Sequence, residues 1–208
     1  MNLAQFSANK EVTFIILLII GLLVFATLLF FIWGKLKPEA NLIELKLRTK
    51  SWWTMAMVFI LAIVINPIIS YFAFGLLSFM ALREISTISK NVRDVDRRIM
   101  IWCYIAIPIQ FMLAYYGYFN LFVIFIPVVM FIFISFMLVI RGETTEIGRS
   151  MSVIPTQLML TVFSLSHLAY LLSLPDLEGF HAGGRGLLLF VVFLTEINDV
   201  FQFIWGKI

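Results

Sequence analysis

Residues 52–82 read WWTMAMVFILAIVINPIISYFAFGLLSFMAL, an apolar run with no charged side chain. As a single helix, residues 54–82 would extend about 43 Å at 1.5 Å per residue, well beyond a ~30 Å hydrocarbon layer, and would require a steep tilt. Asn66-Pro67 offers a break instead. Proline cannot donate to the helix ladder but suits the first position of a new helix, so the run is expected to form a broken hairpin of two short helices, one before Asn66 and one from Pro67. Each limb then has only about 14 to 16 residues, or roughly 21 to 24 Å, and either thins the bilayer or stops short of its far side. Backbone exposed at the break must be sheltered by neighbouring helices.

The rest of the chain sets this hairpin in a membrane. Of 208 residues, 62% are hydrophobic and 13% charged, with a mean hydropathy of +1.03. Such a composition lies outside the soluble globular range. Val12 to Trp33 carries no charge over a length of about 33 Å, which makes it a first, retained span rather than a cleaved signal. Further apolar regions run over Ile99 to Tyr116, Tyr118 to Ile140, Val153 to Leu174 and Leu187 to Trp205. The expected fold is therefore all-α, a polytopic membrane helical bundle of about seven helical segments, with 1–208 forming one transmembrane domain. The lone cysteine, Cys103, excludes an intrachain disulfide, and no Cys/His spacing suits structural zinc.

Loop charge supports the hairpin. If residues 52–82 go in and return, thirteen of the fifteen Lys/Arg fall on one side and only Lys10 and Arg185 on the other. A single crossing would spread them almost evenly. The positive-inside rule selects the hairpin and places the N-terminus outside and Lys207 in the cytoplasm. Trp33, Trp52, Trp53, Trp102 and Trp205 all fall at cytoplasmic segment ends, where amphipathic rings anchor in the headgroup layer. Basic residues in short loops fit topology control and anionic lipid, not nucleic acid.

The polar exception within the spans is Thr195-Glu196-Ile197-Asn198-Asp199. At 100° per residue, Thr195, Glu196, Asn198, Asp199 and Gln202 fall within an arc of roughly 160°, which is expected to face the interior of the bundle. A carboxylate at this depth costs several kcal/mol by most estimates and persists with a partner, a cation or a water-filled cleft. Oxygen ligands at helical spacing suit Mg²⁺, which takes one or two carboxylates plus phosphate oxygens. The competing reading is a hydrogen-bonded helix-helix patch built on Asn198 and Gln202 with a protonated Glu196. His167, among Ser164, Ser166 and Tyr170, reads either as a packing histidine or as an intramembrane base. The basic cluster Arg93, Arg97 and Arg98 reads as a topology-setting loop or as an attractor of anionic headgroups.

Several segments together resemble a known family. Leu194 to Lys207, with Asn198-Asp199 followed by Trp205-Gly206-Lys207, looks like the stretch preceding the signature of the phosphatidate cytidylyltransferases, the CDP-diglyceride synthases. Glu44-Leu45-Lys46-Leu47-Arg48 running into Ser51-Trp52-Trp53, then Ala81-Leu82-Arg83-Glu84 and Arg141-Gly142-Glu143-Thr144, resemble a bacterial branch of that family in order and spacing. The likeness covers the chain from about residue 40.

The resemblance implies transfer of a cytidylyl group from CTP to phosphatidate at the cytoplasmic face of a bacterial inner membrane, with membrane lipid as surroundings, a divalent cation such as Mg²⁺ as cofactor, and a homodimer as assembly. It implies Asp199 as a metal or metal-water contact together with Glu196, Asn198 as the residue that orients it or the phosphate, and Lys207 and Arg83 as phosphate-binding residues. The family's C-terminal signature, rich in Ser, Lys and Asp, is not matched before Ile208. His181-Ala182-Gly183-Gly184 echoes part of it, but in an expected external loop. The chain is thus expected to be the N-terminal part of a longer family domain, with little transferase activity alone. A small carrier or channel using the Asn66-Pro67 break and the Glu196/Asp199 face, and a noncatalytic scaffold, are the alternatives from other classes.

Overall fold

The structure, a computed structural model, describes residues 10–36, 47, 49–54, 56–57, 60, 66–88, 94–142, 147–175 and 183–205. Among these residues all regular structure is helical, in seven segments: α1 (Lys10–Leu36), the segment around 49–54, α2 (Pro67–Ile88), α3 (Asp94–Tyr115), α4 (Phe119–Ile140), α5 (Ile147–Leu171) and α6 (Gly183–Trp205). Within α1 to α5 lie stretches long and apolar enough to cross a membrane. At 23 residues, α6 spans about 35 Å, also enough for a ~30 Å core.

The expected break is present. Asn66 lies outside any helix and Pro67 is the first residue of α2, where its missing N–H costs nothing. Residues 61–65, the end of the first limb, lie outside the described residues. The second limb is longer than the apolar run alone gives: α2 has 22 residues and continues through Arg83 and Glu84 to Ile88. At about 33 Å it matches the hydrocarbon layer rather than falling short of it. Its last turn is polar and ties its own hydroxyls back to the helix, Ser86 to the Leu82 carbonyl and Thr87 to that of Glu84. A hydropathy limit therefore ends before the helix does.

The chain divides into two compact units at proline-marked positions. One comprises Ile68–Leu174 and the other Met1–Pro67 with Pro175–Ile208. In the first, α2 to α5 pack around Leu82, Ile99, Cys103, Ile134, Leu138, Leu158 and Val162, each at most 1% exposed. Lipid is as apolar as leucine, so these contacts act through close packing and through hydrogen bonds between helices. Three such bonds are explicit. Ser78 Oγ on α2 donates to the Thr161 carbonyl on α5 at 2.6 Å, and Gln110 Nε2 on α3 donates to the Phe122 carbonyl at 3.2 Å and to Ser166 Oγ at 3.1 Å, joining α3 to α4 and α5.

The Thr161 bond belongs to a wider pattern. Both α4 and α5 widen into one π-helical turn, Phe125–Met130 and Met159–Phe163. The first contains Pro127, whose ring and missing N–H disturb the ordinary ladder. In the second, Ser164 Oγ caps the Met159 carbonyl at 2.9 Å while Ser78 caps that of Thr161, so side chains stabilise the widened turn. His167 sits just beyond. Its Nδ1 is 2.7 Å from the Phe163 carbonyl, and its ring lies 4.7 Å from Phe122 and 4.3 Å from Phe163. A carbonyl can only accept, so Nδ1 carries the proton in this contact, and the bond with the two ring contacts fits the packing reading of His167.

Between α3 and α4 the chain turns in three residues. Tyr118 N–H donates to the Leu113 carbonyl at 3.1 Å and Gly117 N–H to that of Ala114 at 3.3 Å, with Gly117 at φ 71°, the double bond and left-handed residue of a Schellman stop. A Cβ at Gly117 would meet nothing within 4 Å, so only backbone conformation opposes a side chain there. Gly117→Ala is accordingly expected to lower stability by about 1 kcal/mol without altering the fold, measured by denaturant titration in detergent. Gly117→Asn should recover part of the loss, because asparagine tolerates this region.

Candidate functional site

In the unit containing both termini, α6 packs against α1. Its N-terminal half is buried through Leu188, Leu189 and Val192. On an α-helix, positions 188, 192, 196 and 199 share one face, so Glu196 and Asp199 continue the buried stripe of Leu188 and Val192. Both carboxylates are half-buried, whereas Thr195, Asn198 and Gln202 are exposed. The polar arc does not turn inward as a whole. Its carboxylate edge does, and its amide edge does not, because the 160° arc is wider than the strip that α1 and the 49–54 segment cover. Thr195 Oγ1 is used by its own helix, on the Val191 carbonyl at 2.9 Å.

Asp199 has a defined partner. Trp52 Nε1 donates to Asp199 Oδ2 at 2.8 Å across 147 residues of sequence. Trp52 is 3% exposed, with its ring 6.4 Å from that of Phe30 on α1. The adjacent Trp53 donates through Nε1 to Thr27 Oγ1 at 3.1 Å, and Thr27 donates onward to the Leu23 carbonyl at 2.7 Å. The 49–54 segment thus pins α6 with one tryptophan and α1 with the next. Sequence reasoning placed Trp52 only as an interfacial anchor. Trp205 at 71%, Trp102 at 40% and Trp53 at 37% exposure have the accessibility of anchors, but the Trp52 indole is enclosed and spends its single donor on a carboxylate.

Of the other site candidates, Arg83 is exposed on the last turns of α2, in the other unit, and Lys207 lies outside the described residues, as does His181. Sequence reasoning gave Arg141 no separate role. It follows α4, beside Gly142 at φ 67°, and its Nη1 is buried without a hydrogen-bond partner.

The donor set around Asp199 can be tested against a divalent cation. Among the described residues no three Asp, Glu, His or Cys side chains gather as a ready-made metal cage. Two carboxylates three residues apart on one helix face are oxygen ligands, and Mg²⁺ accepts one or two of these with water and substrate phosphate completing its shell. The residues fit a cation shared with a phosphorylated substrate and do not fit a resident structural metal.

Comparison with known proteins gives the class. The cytidylyltransferase family, that of the CDP-diacylglycerol synthases, matches residues 46–208. The chain is also 34% identical over 189 residues to the uncharacterized protein YnbB of Escherichia coli (strain K12), covering 90% of this chain and 60% of that one. The chain belongs to the cytidylyltransferase family. It spans about 60% of the length of the curated relative it matches. No solved structure matches it.

Proposed function

We propose that this chain forms part of a membrane-embedded nucleotidyltransferase that moves the cytidylyl group of CTP to phosphatidate, giving CDP-diacylglycerol and pyrophosphate. The observation that carries the reading is Asp199, a half-buried carboxylate in a hydrophobic helix that accepts a hydrogen bond from Trp52, in a chain whose family is that of the cytidylyltransferases. An oxygen of the lipid phosphate attacks the α-phosphorus of CTP, the new P–O bond forms as the α–β bridge breaks, and pyrophosphate leaves with the electron pair. No protein nucleophile is needed, and catalysis consists of alignment and of stabilising charge on the phosphates. Asp199 and Glu196 would hold the divalent cation, whose contribution when bound is to neutralise phosphate charge. Asn198, exposed beside them, would orient the phosphate, and Lys207 would supply positive charge to the anionic substrates.

Membranes from cells producing the protein, supplied with [α-³²P]CTP and Mg²⁺, test the reading. Radiolabel should enter the organic phase only when phosphatidate is added. Labelling that follows another phosphorylated lipid would redirect the substrate assignment, and label confined to the aqueous phase would refute transfer.

The proposal also requires the carboxylates to open toward the side that holds CTP, with the N-terminus outside. Native Cys103 is 0% exposed, so introduced cysteines report against a silent background. An impermeant maleimide applied to intact spheroplasts is expected to label Lys10→Cys and to spare Arg97→Cys, both exposed positions, until the membrane is permeabilised. The reverse pattern would invert the topology and place Asp199 nearer the wrong compartment.

A further inference from the structure

We infer that Trp52 is a positioning residue for Asp199, its indole N–H fixing the carboxylate in the orientation used for cation and phosphate; this rests on the transferase reading above. The neighbouring tryptophan provides an internal comparison. Trp53, one residue along the same segment, satisfies its indole with a threonine hydroxyl at 3.1 Å. A hydroxyl therefore suffices to anchor this segment to a helix. At Trp52 the acceptor is instead a carboxylate, the costlier group to keep at membrane depth. A packing contact does not require that charge. A ligand-binding carboxylate does, and it needs a second group to set its rotamer, as ligating carboxylates have in metal sites.

The geometry favours such a role. Trp52 has one donor and no acceptor, so it can serve only the ionised or accepting face of Asp199. A donor bonded to a carboxylate gives a short, directional contact, here 2.8 Å. The indole is itself immobilised, enclosed at 3% exposure with its ring against Phe30 of α1.

Indole ¹⁵N–¹H spectra of the tryptophan-labelled protein in detergent micelles test this without relying on turnover. The chain has five tryptophans, and Trp52→Phe removes one resonance and assigns it. That resonance is expected to move in Asp199→Asn, and to move in the wild type on adding Mg²⁺ with CTP but not in Asp199→Asn. A Trp52 signal indifferent to Asp199→Asn, or one that ignores Mg²⁺ and CTP while other resonances respond to them, overturns the inference.

In the transfer assay Trp52→Phe should lower kcat and raise the Mg²⁺ needed for half-maximal rate by about 10- to 100-fold, leaving KM for CTP nearly unchanged. Trp53→Phe, which breaks the equivalent bond to Thr27, should leave both at wild-type values. Equal losses in the two variants would mean that the segment acts only by packing, which sinks the role of Trp52 but not the transferase. A wild-type protein that neither binds nor consumes CTP would instead sink the transferase reading itself.

Discussion

Asp199→Asn is expected to abolish cytidylyl transfer, a loss on the order of 10²- to 10³-fold, while leaving the protein folded. The substitution separates the two meanings of a carboxylate in a membrane helix. Asparagine has almost the same volume, and its side-chain carbonyl can still accept the Trp52 indole N–H, so the contact between the 49–54 segment and α6 survives. What disappears is the charge. If Asp199 only packed α6 against its neighbours, removing a costly charge at membrane depth would leave function intact and stability equal or higher. If it orders a cation and the reacting phosphates, the rate collapses while the thermal transition in detergent stays where it was. Side-by-side measurement of transfer rate and melting temperature decides, and full activity in Asp199→Asn refutes the catalytic role.

Phe122→Ala is expected to give the largest loss of stability. Phe122 is 0% exposed in the first turn of α4, with its ring 4.8 Å from Tyr170, 4.7 Å from His167 and 6.4 Å from Phe163 of α5. Truncation empties the space between α4 and α5. Core Phe→Ala changes cost about 3–5 kcal/mol in soluble proteins, a sum of transfer and cavity terms. In a bilayer the transfer term shrinks because lipid is also apolar, which puts the expectation near the lower end, about 3 kcal/mol. The Phe122 carbonyl that accepts from Gln110 is backbone and remains, so the effect reports packing alone. Unfolding by sodium dodecyl sulfate titration should show the loss, with Phe122→Leu losing less than half as much. An unchanged midpoint would show that the interior is not close-packed at this point.

The two expectations differ in how far the sequence foretold them. Glu196 and Asp199 stand out as charges in an apolar run, a signal any reader of hydropathy meets, and Pro67 announces a helix start by its chemistry. The end of α2 was not legible, because hydropathy measures the bilayer and not the helix, which continues through Arg83 to Ile88 on its own backbone bonds. Pro127 and Pro155 both hint at a disturbed ladder, but Pro108 sits within α3 without a π turn, so a proline alone does not foretell the turn at Met159–Phe163. It is stabilised by Ser78 from α2, 83 residues away in sequence. Trp52 shows the limit most clearly. Its position at a segment end fits an interfacial anchor, and its bond to Asp199 depends on a contact between distant elements that no local pattern encodes. The inward turn of Asp199 is likewise a packing outcome. Periodicity gives the polar arc, and only the neighbours α1 and 49–54 decide which edge of it is covered.

The central claim, that Asp199 serves nucleotidyl transfer to a phosphorylated lipid, is tested most directly by pyrophosphate release. The enzyme of which this chain forms part, as wild type and as Asp199→Asn, is reconstituted in vesicles containing phosphatidate and receives CTP and Mg²⁺, and free pyrophosphate is followed with a coupled enzyme. Steady, phosphatidate-dependent release is expected from the wild type and background release from Asp199→Asn. Equal release from both proteins, or release that continues when phosphatidate is left out, would contradict it.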